Sequence, residues 1–112
     1  MGPDRAASAR DHVFLFGGYV VDGQGQETTV PDVNAYDPVS AKWFRGADIP
    51  VAVDDFVLGV DHERYVYLVS GWSRQDAVRN VQVYDTEKNT WEQATPIPGT
   101  PVPITLQPLI VV

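Results

Sequence analysis

Apolar positions along the chain come in short runs rich in β-branched and aromatic residues, broken by clusters of Gly, Pro, Asn and Asp. That is the signature of strands and turns, and no segment repeats its apolar residues at helical spacing. The pattern predicts strands at His12–Phe16, Val33–Tyr36, Lys42–Arg45, Phe56–Val60, Tyr65–Val69, Val81–Tyr84, Thr90–Gln93 and Ile104–Val112. Pro31, Pro38, Pro50, Pro96, Pro98, Pro101 and Pro103 fall between these runs, where a missing backbone donor does little harm, and only Pro108 lies inside one. Residues 1–11 are small and polar and read as a disordered lead-in. The predicted class is all-β.

The two halves of the chain repeat one another. Val33-Asn-Ala-Tyr36-Asp37 through Trp43 to Ile49-Pro50 lies over Val81-Gln-Val-Tyr84-Asp85 through Trp91 to Ile97-Pro98 without a gap, at an offset of 48 with six identities. Upstream, Leu15-Phe16-Gly17-Gly18-Tyr19 matches Leu68-Val69-Ser70-Gly71-Trp72 at an offset of 53, which places a five-residue insertion after the glycines of the first unit. Each piece has a physical reason. A glycine corner after a strand lets the backbone turn and approach a neighbour where a Cβ would clash. Asp37 and Asp85 can bond the amides of their own turns. A Tyr and a Trp seven residues apart across a hairpin can stack on one sheet face while their polar tips stay near water.

Gly17-Gly18 or Ser70-Gly71, then Tyr36-Asp37 or Tyr84-Asp85, then Trp43 or Trp91, closing with Ile-Pro, resembles the kelch repeat. In that family each repeat forms one four-stranded antiparallel blade of a β-propeller. The resemblance divides the chain into a first repeat at 12–50 that lacks its first strand, a second at 51–98, and the opening strand of a further blade at 99–112. Ser70 in place of a glycine is expected to loosen its turn. A narrower likeness, carried by Pro50-Val-Ala-Val-Asp-Asp-Phe and Tyr-Leu-Val-Ser-Gly-Trp, is to bacterial galactose oxidase-like and sialic-acid epimerase-like kelch proteins.

Composition narrows the function. A formal net charge of −7 would repel phosphate backbones and anionic lipid, which argues against nucleic-acid and membrane-surface roles. No cysteine means no disulfide, thiolate metal site or cysteine nucleophile, and with two histidines the copper chemistry of the galactose oxidase type has no ligand set. No apolar run approaches a membrane span or a signal peptide, and this leaves the compartment open.

In kelch propellers ligands bind one rim, and the resemblance puts that rim in the loops Asp48–Asp55, Tyr19–Asp32, Trp72–Asn80 and Thr95–Pro103. There Asp54 and Asp55 form either a pair that binds sugar hydroxyls or acts as acid and base, or a turn pair capping loop amides. Trp72 with Arg74, Asp76 and Arg79 forms either an aromatic platform with polar neighbours or a solvated loop whose Trp is wedged between blades. Asp61-His62-Glu63-Arg64 has metal-ligand residue types but the position of a hairpin turn, and Asp22-Gly23-Gln24-Gly25 fits neither a phosphate loop nor a calcium loop. No metal or cofactor is expected, and no catalytic constellation stands out.

Propellers have four to eight blades, so two repeats are too few to close a ring. Because repeat proteins keep their blades in one chain, a piece of a larger propeller is the first expectation. Three copies closing a six-bladed ring is the alternative. The expected function is recognition of a protein or a carbohydrate through the rim loops. The alternative is part of a carbohydrate-active enzyme such as a sialic-acid epimerase or mutarotase.

Overall fold

The computed structural model describes residues 5–73 and 76–98. Within them the strands are β1 Arg5–Ala9, β2 His12–Phe16, β3 Tyr19–Val21, β4 Glu27–Thr29, β5 Val33–Asp37, β6 Lys42–Arg45, β7 Val57–Asp61, β8 Tyr65–Val69, β9 Trp72–Ser73, β10 Asp76–Ala77, β11 Val81–Asp85 and β12 Thr90–Gln93. They form two four-stranded antiparallel sheets, β1-β2-β5-β6 and β7-β8-β11-β12, each with a two-stranded hairpin inserted after its second strand. The class is all-β, as the periodicity implies, and the two sheets are two blades of one design. The expected strand at Ile104–Val112 lies outside the described residues.

One expectation is overturned. Arg5–Ala9 is not part of a disordered lead-in but a strand, paired with His12–Phe16 from Arg5↔Phe16 to Ala9↔His12, so the first blade has its full set of strands. Its residues are too small to register as an apolar run, yet Ala7 and Ala9 are buried, and the small side chains let the bulky Phe14 and Phe16 sit beside them. Arg10 and Asp11, both at positive φ, make the tight turn between the two strands.

The repeat extends to individual backbone hydrogen bonds. Gly17 N–H donates to Asp32 C=O and Ser70 N–H to Asn80 C=O, both at 2.8 Å. Val30 donates to Gly18 and Val78 to Gly71, Gly46 to Val33 and Ala94 to Val81, Ile49 to Pro31 and Ile97 to Arg79. Ser70 holds the same left-handed conformation as Gly17, with φ values of 64° and 60°. That conformation costs a residue with a Cβ roughly 1 kcal/mol. The buried Ser70 hydroxyl donates to Val78 C=O at 2.9 Å, which ties the corner down rather than loosening it.

Turn chemistry also follows the sequence. Asp37 accepts from the amide of Val39, and Asp85 from those of Glu87 and Lys88. Asp85 is further gripped by Arg64, whose Nε and Nη2 donate to its two oxygens at 3.0 and 2.9 Å. The Asp61-His62-Glu63-Arg64 cluster is therefore a hairpin turn with a structural arginine, and among the described residues no group of three acidic, His or Cys side chains is placed to hold a metal.

The core lies between the blades. Phe14 and Phe16 meet Tyr84 edge-on at 5.9 and 5.8 Å between ring centroids, and Phe16 meets Trp91 at 6.0 Å. Tyr84 and Trp91 lie tilted against each other at 4.9 Å between ring centroids, as do Tyr36 and Trp43 in the first blade. In the second blade the polar tips of this pair are taken up by protein groups. Tyr84 OH donates to Asn89 Oδ1, and Trp91 Nε1–H donates to Ala47 C=O at 2.9 Å. Fully buried Gln82 accepts from Val51 N–H at 3.0 Å and donates to Val51 C=O at 2.9 Å, clasping the connector between the blades.

Replacing Gln82 by Leu keeps the volume but removes the partner of both backbone polar groups of part-buried Val51, at up to about 1–3 kcal/mol for each. Urea denaturation of Gln82→Leu should show a midpoint well below that of the parent chain with an unchanged slope. An equal midpoint would mean that the clasp contributes nothing.

Candidate functional site

The rim cleft is built by three segments that the repeat brings together. The β3–β4 hairpin supplies Tyr19, Gln26, Glu27, Thr28 and Thr29, the interblade connector supplies Ala52, Asp54 and Asp55, and β9 supplies Trp72 and Ser73. They surround an open cleft of about 930 Å³. The five-residue insertion is the reason the first blade's hairpin is longer than the β9–β10 hairpin of the second. What sequence reasoning treats as Gly-rich loops are short paired hairpins, with Asp22 Oδ1 fastening the tip of the first by accepting from Gln24 and Gln26 amides.

Both glycine corners press against the connector. A Cβ on Gly17 would lie 2.9 Å from Val53 O, and one on Gly71 would lie 2.8 Å from Asp54 O, at φ values of +60° and +112°. Close approach at Gly71 lets Asp54 and Trp72 exchange backbone hydrogen bonds, Asp54 N–H to Trp72 C=O at 3.0 Å and Trp72 N–H to Asp54 C=O at 2.8 Å. The acid and the indole are thereby fixed beside each other on rigid backbone.

Asp54 is only 8% exposed, and its carboxylate accepts from the Thr29 hydroxyl at 3.5 Å. Burial pushes its carboxyl above the ordinary carboxylate value, and the nearby charges of Asp55 and Glu27 push it the same way. Asp55 is half-buried and sits at φ +50°, a left-handed turn that Asp tolerates better than most residues. The lining thus holds two aromatic rings, three carboxylates, hydroxyls and an amide, with no Lys, Arg or His among its described residues.

Of the rim residues singled out by sequence, Asp54, Asp55 and Trp72 share this cleft. Asp76 contributes backbone to β10, Arg79 is exposed and outside the lining, and Arg74 lies outside the described residues. Glu27, Thr29 and Tyr19 were not singled out. Glu27 and Thr29 carry no motif of their own, and their only signal is membership of the inserted hairpin, whereas Tyr19 is marked as the repeat counterpart of Trp72.

Comparison with known proteins agrees with this architecture. Residues 62–98 match the Kelch motif family. The chain is 35% identical over 96 residues to Kelch-like protein 15 of Gallus gallus, covering 86% of this chain and 20% of that protein. It is 35% identical over 88 residues to Kelch-like protein 38 of Rattus norvegicus, covering 78% of this chain and 14% of that protein. A solved structure titled "Structure of YjhT" superposes with a TM-score of 0.76 at 15% identity, over 88% of this chain and 39% of that one, and so shares the fold. The chain is a kelch-repeat protein with the blade fold of a β-propeller. It spans about a fifth or less of the length of these Kelch-like relatives.

Two carboxylates titrate with opposite consequences. Asp54 has its folded pKa raised above 3.8, so its charge at neutral pH costs stability and the cost is relieved as pH falls through the folded value. Asp85 is lowered from 3.8 to about 2, chiefly by the Arg64 hydrogen bonds, so its stabilisation is present above 3.8 and lost as pH falls toward 2. Asp54→Asn is therefore expected to melt higher than the parent at pH 7, with the gap narrowing as pH falls toward 4. Arg64→Ala should melt lower, with its deficit shrinking between pH 3.8 and about 2. Thermal melts of the three chains across pH check both signs, and a lower Tm for Asp54→Asn at pH 7 would contradict the first.

Proposed function

We propose that this chain supplies two blades of a kelch propeller whose rim recognises a protein ligand, and that the cleft between its two inserted hairpins receives a Lys or Arg side chain of that ligand. The observation that carries this reading is the lining: Asp54, Asp55 and Glu27 converge beside Trp72 and Tyr19, with no basic residue among the described lining residues. A cation entering the cleft would meet carboxylates and two aromatic side chains, the usual environment for a guanidinium or ammonium group. It would also offset the burial, and with it the like charges of Asp55 and Glu27, that raise the Asp54 carboxyl above its ordinary value. A chain of net charge −7 attracts basic segments at long range.

A second reading is supported by the same Trp72 and Tyr19 beside paired acids, a combination that also suits a sugar ring. It makes the cleft a carbohydrate site. The enzymatic form of that reading relies on Arg74, which lies outside the described residues, so no reaction is assigned.

Titrating Arg- and Lys-containing peptides, uncharged peptides and a panel of monosaccharides while following tryptophan fluorescence separates the two readings. Basic peptides should bind, with affinity falling as salt rises. Asp54→Asn/Asp55→Asn should weaken them at least about tenfold, the loss of one charge-assisted contact or more. Saturable sugar binding that the double substitution abolishes, without peptide binding, would replace the protein reading with the carbohydrate one.

A further inference from the structure

The inserted hairpin meets the rim cleft unevenly. All of β4, Glu27, Thr28 and Thr29, lines it together with Gln26 just before, whereas β3 contributes Tyr19 alone. Side chains on a strand alternate between its two faces, so consecutive residues line one cleft when the strand turns its edge toward it. The rest of the lining is the connector and β9, so this edge is turned to the cleft inside the chain and not to the flank of either blade.

Hydrogen bonds at the two ends of the hairpin show which backbone groups lie on that edge. Asp22 N–H donates to Gln26 C=O and Val30 N–H to Gly18 C=O, both at 3.0 Å, so Gln26 and Val30 turn their backbone groups toward β3. Direction alternates by residue in an antiparallel pair, and Thr28, opposite Val20, turns inward with them. The N–H and C=O of Glu27 and Thr29 therefore point outward, along the edge that borders the cleft. Among the described residues β4 pairs with β3 and with no other strand. Thr29 shares its face with Glu27 and donates to Asp54 at 3.5 Å, which turns that face to the acids. At about 930 Å³ the cleft lies near the top of the about 300–1,000 Å³ range of ligand pockets, more than one basic side chain fills.

We infer that the ligand is an extended basic segment that adds a third strand to the β3–β4 hairpin, bonding the outward groups of Glu27 and Thr29 and directing an Arg or Lys side chain at Asp54 and Asp55. The inference rests on the reading of the cleft as a site for a basic side chain and adds the backbone that presents it. Main-chain pairing along a strand edge supplies affinity without regard to sequence, and the side chains beside it supply selection. Charge decides the occupant here, because Glu27, Asp54 and Asp55 repel an acidic strand and hold a basic one. Whether the added strand runs parallel or antiparallel, the N–H groups of alternate ligand residues bond β4 and those between them do not.

The test starts from an Arg-containing peptide that binds the chain and places an N-methyl group on one backbone amide at a time, which removes a donor and keeps every side chain. Followed by tryptophan fluorescence, affinity should fall roughly two- to tenfold at every second position near the Arg, the worth of one backbone hydrogen bond, and hold its unmethylated value between them. On the protein side, Glu27→Ala removes the carboxylate and Glu27→Pro removes the outward N–H as well, a loss that an edge strand tolerates. Glu27→Pro should bind the peptide roughly two- to tenfold more weakly than Glu27→Ala. If Glu27→Pro loses its β-type circular dichroism spectrum, the methylated peptides on the unaltered chain decide alone. Basic peptides that bind and respond to Asp54→Asn/Asp55→Asn, yet show no alternation on N-methylation, would overturn the strand pairing and leave the acidic cleft standing. Basic peptides that do not bind at all would overturn both.

Discussion

A kelch blade is a small antiparallel sheet with apolar side chains on both faces, and nothing within one blade can cover either of them. Everything else in this chain follows from how that requirement is met between β2 and β5 on one side and β8, β11 and β12 on the other. Phe14 and Phe16 enter edge-on against Tyr84 and Trp91, an arrangement that suits the ring quadrupoles and buries Phe16 completely. The connector has to cross this interface as bare backbone. Gln82, Asn89 and Trp91 satisfy its polar groups at Val51 and Ala47, and among the described residues no buried side-chain nitrogen or oxygen lacks a partner.

The same connector carries the rim chemistry. Val53 and Asp54 are held against the glycine corners of both blades, so Asp54 is presented from backbone that cannot shift without disturbing the core. Rigidity of this kind has a cost that appears at the carboxylate. Its burial beside two other acids disfavours the charge, whereas Asp85, at the far hairpin, is held ionised by Arg64 and turn amides. A destabilised acid lining a cleft is in keeping with the proposed binding role, and a stabilised acid locking a turn is structural.

Much of this is legible in the residues. The offset between Tyr36-Asp37 with Trp43 and Tyr84-Asp85 with Trp91 implies two copies of one unit, and hydrogen bonds such as Gly46 to Val33 and Ala94 to Val81 repeat on that offset. Asp54, Asp55 and Trp72 can be picked out because loop acids and an aromatic after a glycine corner are unusual enough to notice. Arg5–Ala9 is not legible as a strand, because Ala and Ser signal neither strand nor helix until a neighbour makes small size an advantage. Glu27 and Thr29 are also silent, since nothing in Gly23-Gln24-Gly25 announces the hairpin that carries them to Asp54.

The amino-acid sequence by itself determined the all-β class, the repeat, the positions of the corners and the turn chemistry, because each depends on neighbours a few residues apart. Tertiary structure alone decided which face of each sheet is buried, that Gln82 and Trp91 reach the connector, and that the inserted hairpin of one blade meets the corner of the next. Those outcomes depend on groups tens of residues apart competing for the same buried space, and local spacing does not encode the result.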